Sequence, residues 1–343
     1  MRVLPVRALS ALVVLLIASS ASAVTIDWTP IGNPGNPADT QVMTTDRTSG
    51  YGSVPYTYSI GTYEVTNAQY TEFLNAKAKS DPLGLYDSAM AFVPDGGIVR
   101  TGSAGTYSYA VIAGRENKPV VRVSFYDAIR FANWMNNGQG NGDTETGAYT
   151  LLGPYTTSPY GNAIPSNGTT VTRNTGASIF LPTENEWYKA AYFNPITASY
   201  FDYPTSSDTQ PVCATPTASA NRANCGLATL PAADLTNVGS YPGSRSPYGT
   251  YDQAGNAYEL NETIINGGRG YRGGSFGRNP QDIAASWRYY GADPDVETDD
   301  LGFRIATTFV IPEPGTGLLV AGGLIGLAVR RRSAKHGDSE CED

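Results

Sequence analysis

The sequence predicts an α+β domain rich in loops, and three observations predict it. Gly (38), Pro (23) and Tyr (23) are abundant while charged residues make up 16%, a composition of turns and irregular segments more than of a helical bundle. Three stretches combine a helix-start signal with helical spacing of apolar residues. Between them lie short runs that alternate or are continuously apolar, as strands are.

Residues 56–65 (YTYSIGTYEV) alternate as a strand. Thr66 opens the first helix, TNAQYTEFLNA, with Gln69 as capping-box partner and Tyr70, Phe73 and Leu74 spaced to face a core. Residues 119–123 (PVVRV) are expected to form a buried strand. Ser124 caps the second helix, SFYDAIRFANWMNN, with Asp127 at the reciprocal position and Ala128, Phe131, Ala132 and Met135 on one face. Thr183 and Glu186 make a third capping box in LPTENEWYKAAYF, where Trp187, Ala190 and Ala191 point inward. Residues 139–178 have no periodicity and are either a functional surface loop or partly disordered.

The two ends carry addresses. Residues 1–23 have Arg2 and Arg7, an apolar centre and an Ala21-Ser22-Ala23 ending, the pattern of a secretory signal peptide. The alternative is a buried N-terminal helix. At the other end Pro312-Glu313-Pro314 precedes an apolar run over 315–329 and then Arg330-Arg331-Arg332. At 1.5 Å per residue that run covers about 22 Å, short of the ~30 Å hydrocarbon core, and the arginines would hold the tail cytoplasmic. Residues 311–343 resemble the PEP-CTERM sorting signal, which an exosortase-type membrane protease handles in Gram-negative bacteria that make exopolysaccharide. An ordinary tail anchor is the alternative. Both place residues 24–310 outside the cytoplasm, at the cell surface or in the matrix, with a transient membrane anchor in the C-terminal helix.

Composition excludes several chemistries. The chain is acidic, at a formal charge of −8, which argues against nucleic acid, whose binding needs phosphate neutralisation. Its single histidine, His336, lies beyond the terminal arginines. The exported part therefore has no Ser-His-Asp or Cys-His site and no His-ligated zinc or iron. Of three cysteines, Cys341 is in the tail. Cys213 and Cys225 flank a Pro/Ala/Thr/Asn loop in an oxidising compartment and are read as a disulfide, with a redox or copper-binding pair as the alternative.

Six segments, the three helix regions and then YDQAGNAYEL, YRGGSFGR and DDLGFRIA, resemble in order the formylglycine-generating-enzyme (sulfatase-modifying factor) family over approximately residues 60–306. The resemblance implies a C-type-lectin-like fold with little regular structure. It implies that the family's copper-binding cysteine pair belongs where this chain has Arg278 and Ile283, so copper is not expected. It also implies a structural calcium held by the Asp252 side chain, the Gly255 and Ala257 carbonyls and Glu259. A hard cation wants six to eight oxygens, which a glycine-containing turn can supply. The alternative is a simple turn with Glu259 in a salt bridge.

Other candidates are weighed on their residues. INGGRGYRGG lacks the Lys-Ser/Thr ending of a phosphate loop and reads as tight turns, with Arg272 or Arg304 expected to pair with Asp299 or Asp300. Glu184 and Glu186 are far enough into a helix start to serve its N-terminus, not a glycosidase. Arg278, Trp287, Arg288 and Tyr289 sit where the family's cleft would be. They suit carbohydrate or peptide recognition, or else an aromatic core. The expected function is an exported, calcium-stabilised, non-catalytic module that binds exopolysaccharide or a surface glycan. The alternatives are an oxidoreductase of the same family with an unrecognised site, and a structural surface protein without a specific ligand.

Overall fold

The computed structural model describes residues 23–228 and 234–309. Its main elements are β1 (Trp28–Ile31), β2 (Tyr58–Gly61), α1 (Asn67–Lys77), α2 (Phe125–Asn136), β3 (Ile179–Phe180) and α3 (Glu184–Tyr192). The chain ends through β4 (Tyr258–Ile265), β5 (Gly268–Arg272), β6 (Tyr289–Ala292), β7 (Leu301–Phe303) and β8 (Ala306–Thr307). The leader and the sorting tail, with Pro312, Glu313, Pro314 and the apolar run, lie outside the described residues. Among the described residues no helix is long and apolar enough to cross a membrane.

All three capping boxes form. Thr66, Ser124 and Thr183 each accept from the amide three residues on, and Gln69, Asp127 and Glu186 each reach back to the cap amide. Two orphan donors are thereby satisfied at each helix start. The Tyr70, Phe73 and Leu74 side chains of α1 are fully buried, each contributing roughly 1.5–3 kcal/mol by its removal from water.

β1, β2, β8 and β3 form an antiparallel sheet in that order. Ile60 pairs with Ala306 across it, so the two ends of the domain close on one another. The second sheet runs β6–β5–β4–β7, antiparallel except for the parallel β4–β7 pair.

Two expectations are corrected. Residues 119–123 bury Val120, Val121 and Val123 but make only a bridge from Pro119 to Thr66. Arg122 turns the chain with φ +61°, a left-handed conformation no strand contains. Second, α2 is buried on every side and not on one face alone. Its polar face is covered by residues 139–178: Arg130 Nε donates to Glu145 Oε1 at 2.8 Å, and Asn133 exchanges hydrogen bonds with Thr144 and Tyr149 backbone. Arg269 fixes the same segment by donating to the Gly168 and Val171 carbonyls. The long segment is thus an ordered cover over the central helix.

Candidate functional site: an aromatic cleft

The site is built by one hairpin. Asn266 (φ +51°) and Gly267 (φ +83°) connect β4 and β5 through a two-residue turn that closes at the Ile265–Gly268 pair. Both central residues are left-handed, as a type I′ turn demands. The register sets Leu260 opposite Tyr271 and Tyr271 opposite Tyr289. Because side chains alternate across a strand, Tyr258, Tyr271 and Tyr289 share one face. Glu259 and Arg272 share the other.

The outer face is aromatic. Tyr271 and Tyr289 stack with centroids 4.4 Å apart, Tyr258 meets Tyr271 edge-on at 5.0 Å, and Trp287 stacks on Tyr258 at 5.9 Å. The three tyrosines border a cleft of about 410 Å³ whose lining also includes Arg278, Asp293 and Asp300. Arg278 pairs with Asp300 at 3.2 Å while its side chain stays 57% exposed. Asp300 also accepts from Ser275 Oγ and Thr298 Oγ1. Tyr258 donates to Asp282 at 3.1 Å. Burial, then the neighbouring Asp282 charge, raises the Tyr258 phenol. Burial, then Tyr289, raises that of Tyr271. Both phenols therefore stay neutral at ordinary pH, and Tyr258, whose O–H is given to Asp282, keeps its oxygen lone pairs as acceptors.

The inner face is ionic. Arg304 donates to both oxygens of Glu259, with the Nη2–Oε1 contact at 2.6 Å, and Trp187 Nε1 adds a third bond at 2.7 Å. Arg272 pairs with Glu184 at 2.7 Å. The expected pairing of Arg272 or Arg304 with Asp299 or Asp300 is therefore corrected: the pleat of β5 turns Arg272 inward, Arg304 follows β7 fully buried against Glu259, and Asp300 is left to Arg278. Glu186 pairs with Arg173 at 2.7 Å, so both helix-start glutamates are structural. Of the four recognition candidates, Arg278 and Tyr289 line the cleft, and Trp287 does not, packing against the core and stacking on Tyr258. Arg288 points the other way, 4% exposed, bound to Asp46 and Glu184.

The calcium candidates fall on the inner side. Asp252 Oδ2 accepts from the Gly239 amide at 2.6 Å, and burial pushes its carboxyl up to about 6. A Cβ at Gly255 would lie 2.3 Å from the Asn224 carbonyl, and Ala257 is fully buried. Glu259 already gives both oxygens to a guanidinium, whose positive charge would oppose an incoming cation. As arranged, Asp252, Gly255, Ala257 and Glu259 do not fit a calcium ion. Among the described residues no three His, Cys, Asp or Glu side chains converge as metal ligands.

Cys213 and Cys225 form a disulfide. Cys225 packs with Ala223, Ala254 and fully buried Ile283, and the next amide, Gly226, donates to the Arg278 carbonyl at 2.7 Å. The bridge thus braces the back of the segment that presents Arg278. Sequence reasoning missed Tyr258, Tyr271, Asp282 and Asp300. The Asn-Gly pair between two alternating runs was the available signal for the first two.

Two solved structures share the fold at sequence identities that carry no more than that. Treponema denticola variable protein 1 is 19% identical, with a TM-score of 0.51 over 84% of this chain and 98% of its own. CarF is 20% identical, with a TM-score of 0.53 over 83% and 99%. No curated protein matches the chain in sequence. Residues 310–332 match the PEP-CTERM protein-sorting motif. Residues 44–309 match the sulfatase-modifying factor enzyme 1-like domain, and the chain with its loop-rich α+β fold belongs to that family.

Proposed function

We propose that this chain is an exported binding module without oxidase chemistry, whose aromatic cleft takes a glycan of the exopolysaccharide layer. The fate of two positions carries the reading. Where the family resemblance puts a cysteine pair, Ile283 is sealed in an apolar cluster and Arg278 is paired with Asp300. The cleft lining contains no thiol and no imidazole. What it offers is recognition chemistry: flat amphipathic rings, neutral phenol oxygens and carboxylate acceptors around one partly free guanidinium. The PEP-CTERM motif supports export and processing by an exosortase-type protease, which would set the module in that layer.

The oxidoreductase alternative would need Cys213 and Cys225 as working thiols, and a disulfide braced against Ile283 speaks against it. The test is oxygen uptake by the exported chain loaded with copper(I), with a cysteine-containing peptide. Uptake at the level of the metal-free blank is expected. Turnover that disappears in a Cys213→Ser, Cys225→Ser variant would overturn the reading.

A further inference from the structure

Burial changes abruptly at the bond where leader cleavage is expected. The Ala21-Ser22-Ala23 ending puts the cut between Ala23 and Val24. Ala23 is exposed, whereas Val24 is 6% exposed and joins the main core. One side chain clamps both backbone groups of Val24. Gln139, just past α2, accepts from the Val24 N–H through Oε1 at 2.7 Å and donates through Nε2 to the Val24 carbonyl at 2.8 Å. Gln139 itself is left-handed, φ +65°, an uncommon conformation for its type, with its amide on the Trp134 carbonyl at 2.8 Å. Gln69 of α1 donates to the Thr25 carbonyl at 2.9 Å. The first residues after the expected cut are therefore tied to both α1 and α2.

The surroundings of that bond are acidic. Two hollows of about 390 and 330 Å³ flank it, and Ala23 and Glu72 line both. Asp27 and Glu64 line the larger one, and among the described residues no Lys or Arg lines either. The Glu72 carboxylate, on α1, has no partner among the described residues. Glu64 is 2% exposed and its Oε2 is unpartnered. Carboxylates gathered in this way favour a positive group beside them.

We infer that this is a binding site for the chain's own mature amino terminus, the α-ammonium of Val24, with Gln139 Oε1 as its acceptor and Glu72 as its counter-charge. Hydrolysis of the Ala23–Val24 bond by a signal peptidase adds one water. The Ala23 carboxylate leaves with the leader, and the Val24 nitrogen stays as an ammonium. Where the peptide nitrogen brought one donor, the ammonium brings three. One remains on Gln139, and the charge supplies the cation that both hollows lack. An uncut chain has no such group, so the site fills only after processing, and it is independent of what the cleft binds. A neighbouring carboxylate raises an amine above its ordinary value, about 8 for an α-amino group. With the folded value raised, the stabilisation is full below about pH 8 and is lost as pH rises through the folded value.

The experiment uses the full exported chain, collected after secretion. Its intact mass should show Val24 as the first residue. Acylation of the α-amine by an N-hydroxysuccinimide ester is then followed against pH, beside a free peptide of residues 24–30. At about pH 7.5 the protein should react at least about tenfold more slowly than the peptide, with the midpoint of its pH profile raised by about one unit. Glu72→Gln should bring that midpoint back toward about 8, which a role of Glu72 in packing alone would not do. A first residue other than Val24, acylation at the peptide's rate, or a midpoint that Glu72→Gln leaves in place would each overturn the proposal. If the variant fails to fold, the wild-type midpoint decides: a raised one supports the site, and one at the peptide's value sinks it.

Discussion

Tyr271 and Tyr289 lie ring on ring across two neighbouring strands, centroids 4.4 Å apart and 10° from parallel, with the Tyr289 side 45% open to water. The pair is the outermost aromatic surface of the cleft, and truncation of its exposed member should remove binding more than stability. Tyr289→Ala is expected to weaken ligand binding by about 1.4–2 kcal/mol, roughly ten- to thirtyfold. Thermal unfolding of the variant checks that the fold is retained.

The Glu259–Arg304 pair is wholly out of water, so removing one partner strands the other charge. Arg304→Met should cost about 3–5 kcal/mol in chemical denaturation. A loss below about 1 kcal/mol would mean that the inner face does not depend on this pair.

Opening the Cys213–Cys225 bridge releases a short loop. The double substitution Cys213→Ser, Cys225→Ser is expected to cost roughly 3 kcal/mol by the chain-entropy argument, read as a shift in denaturation midpoint. Because Gly226 donates to the Arg278 carbonyl, the variant should also show faster exchange of that amide.

Lys189 is fully buried on α3, donating to the Asn33 carbonyl at 2.9 Å, and burial lowers it to about 8. Its folded value lies below its unfolded one, so the native state binds fewer protons between about pH 8 and about pH 10.5. Stability should rise through that window in the wild type relative to Lys189→Met. Parallel pH–stability curves for the two proteins would contradict the assignment.

What the sequence made legible was local. The three capping boxes are short-range signals three residues apart, and each forms where the spacing put it. The disulfide and the family scaffold could also be read. Partner choice could not. Arg272 finds Glu184 because the pleat of β5 sends it inward, Arg304 finds Glu259 from the buried link between β7 and β8, and no spacing along the chain encodes that the Asp300 carboxylate belongs to Arg278. The strand expected at 119–123 fails at one residue, Arg122, whose left-handed turn aims its amide at the Thr298 carbonyl. Asn266-Gly267 announces the β4–β5 hairpin that sets Tyr271 on its face, but Tyr289 reaches Tyr271 on β6, across a connection of residues 273–288 that carries no such signal.

The most direct test of the account is binding of the exported chain to a panel of bacterial polysaccharides, with wild type and Tyr289→Ala side by side. The account predicts retention of the wild type on at least one acidic or neutral polysaccharide and at least about tenfold weaker retention of the variant. A featureless wild-type panel, or equal binding by a folded Tyr289→Ala, would contradict it.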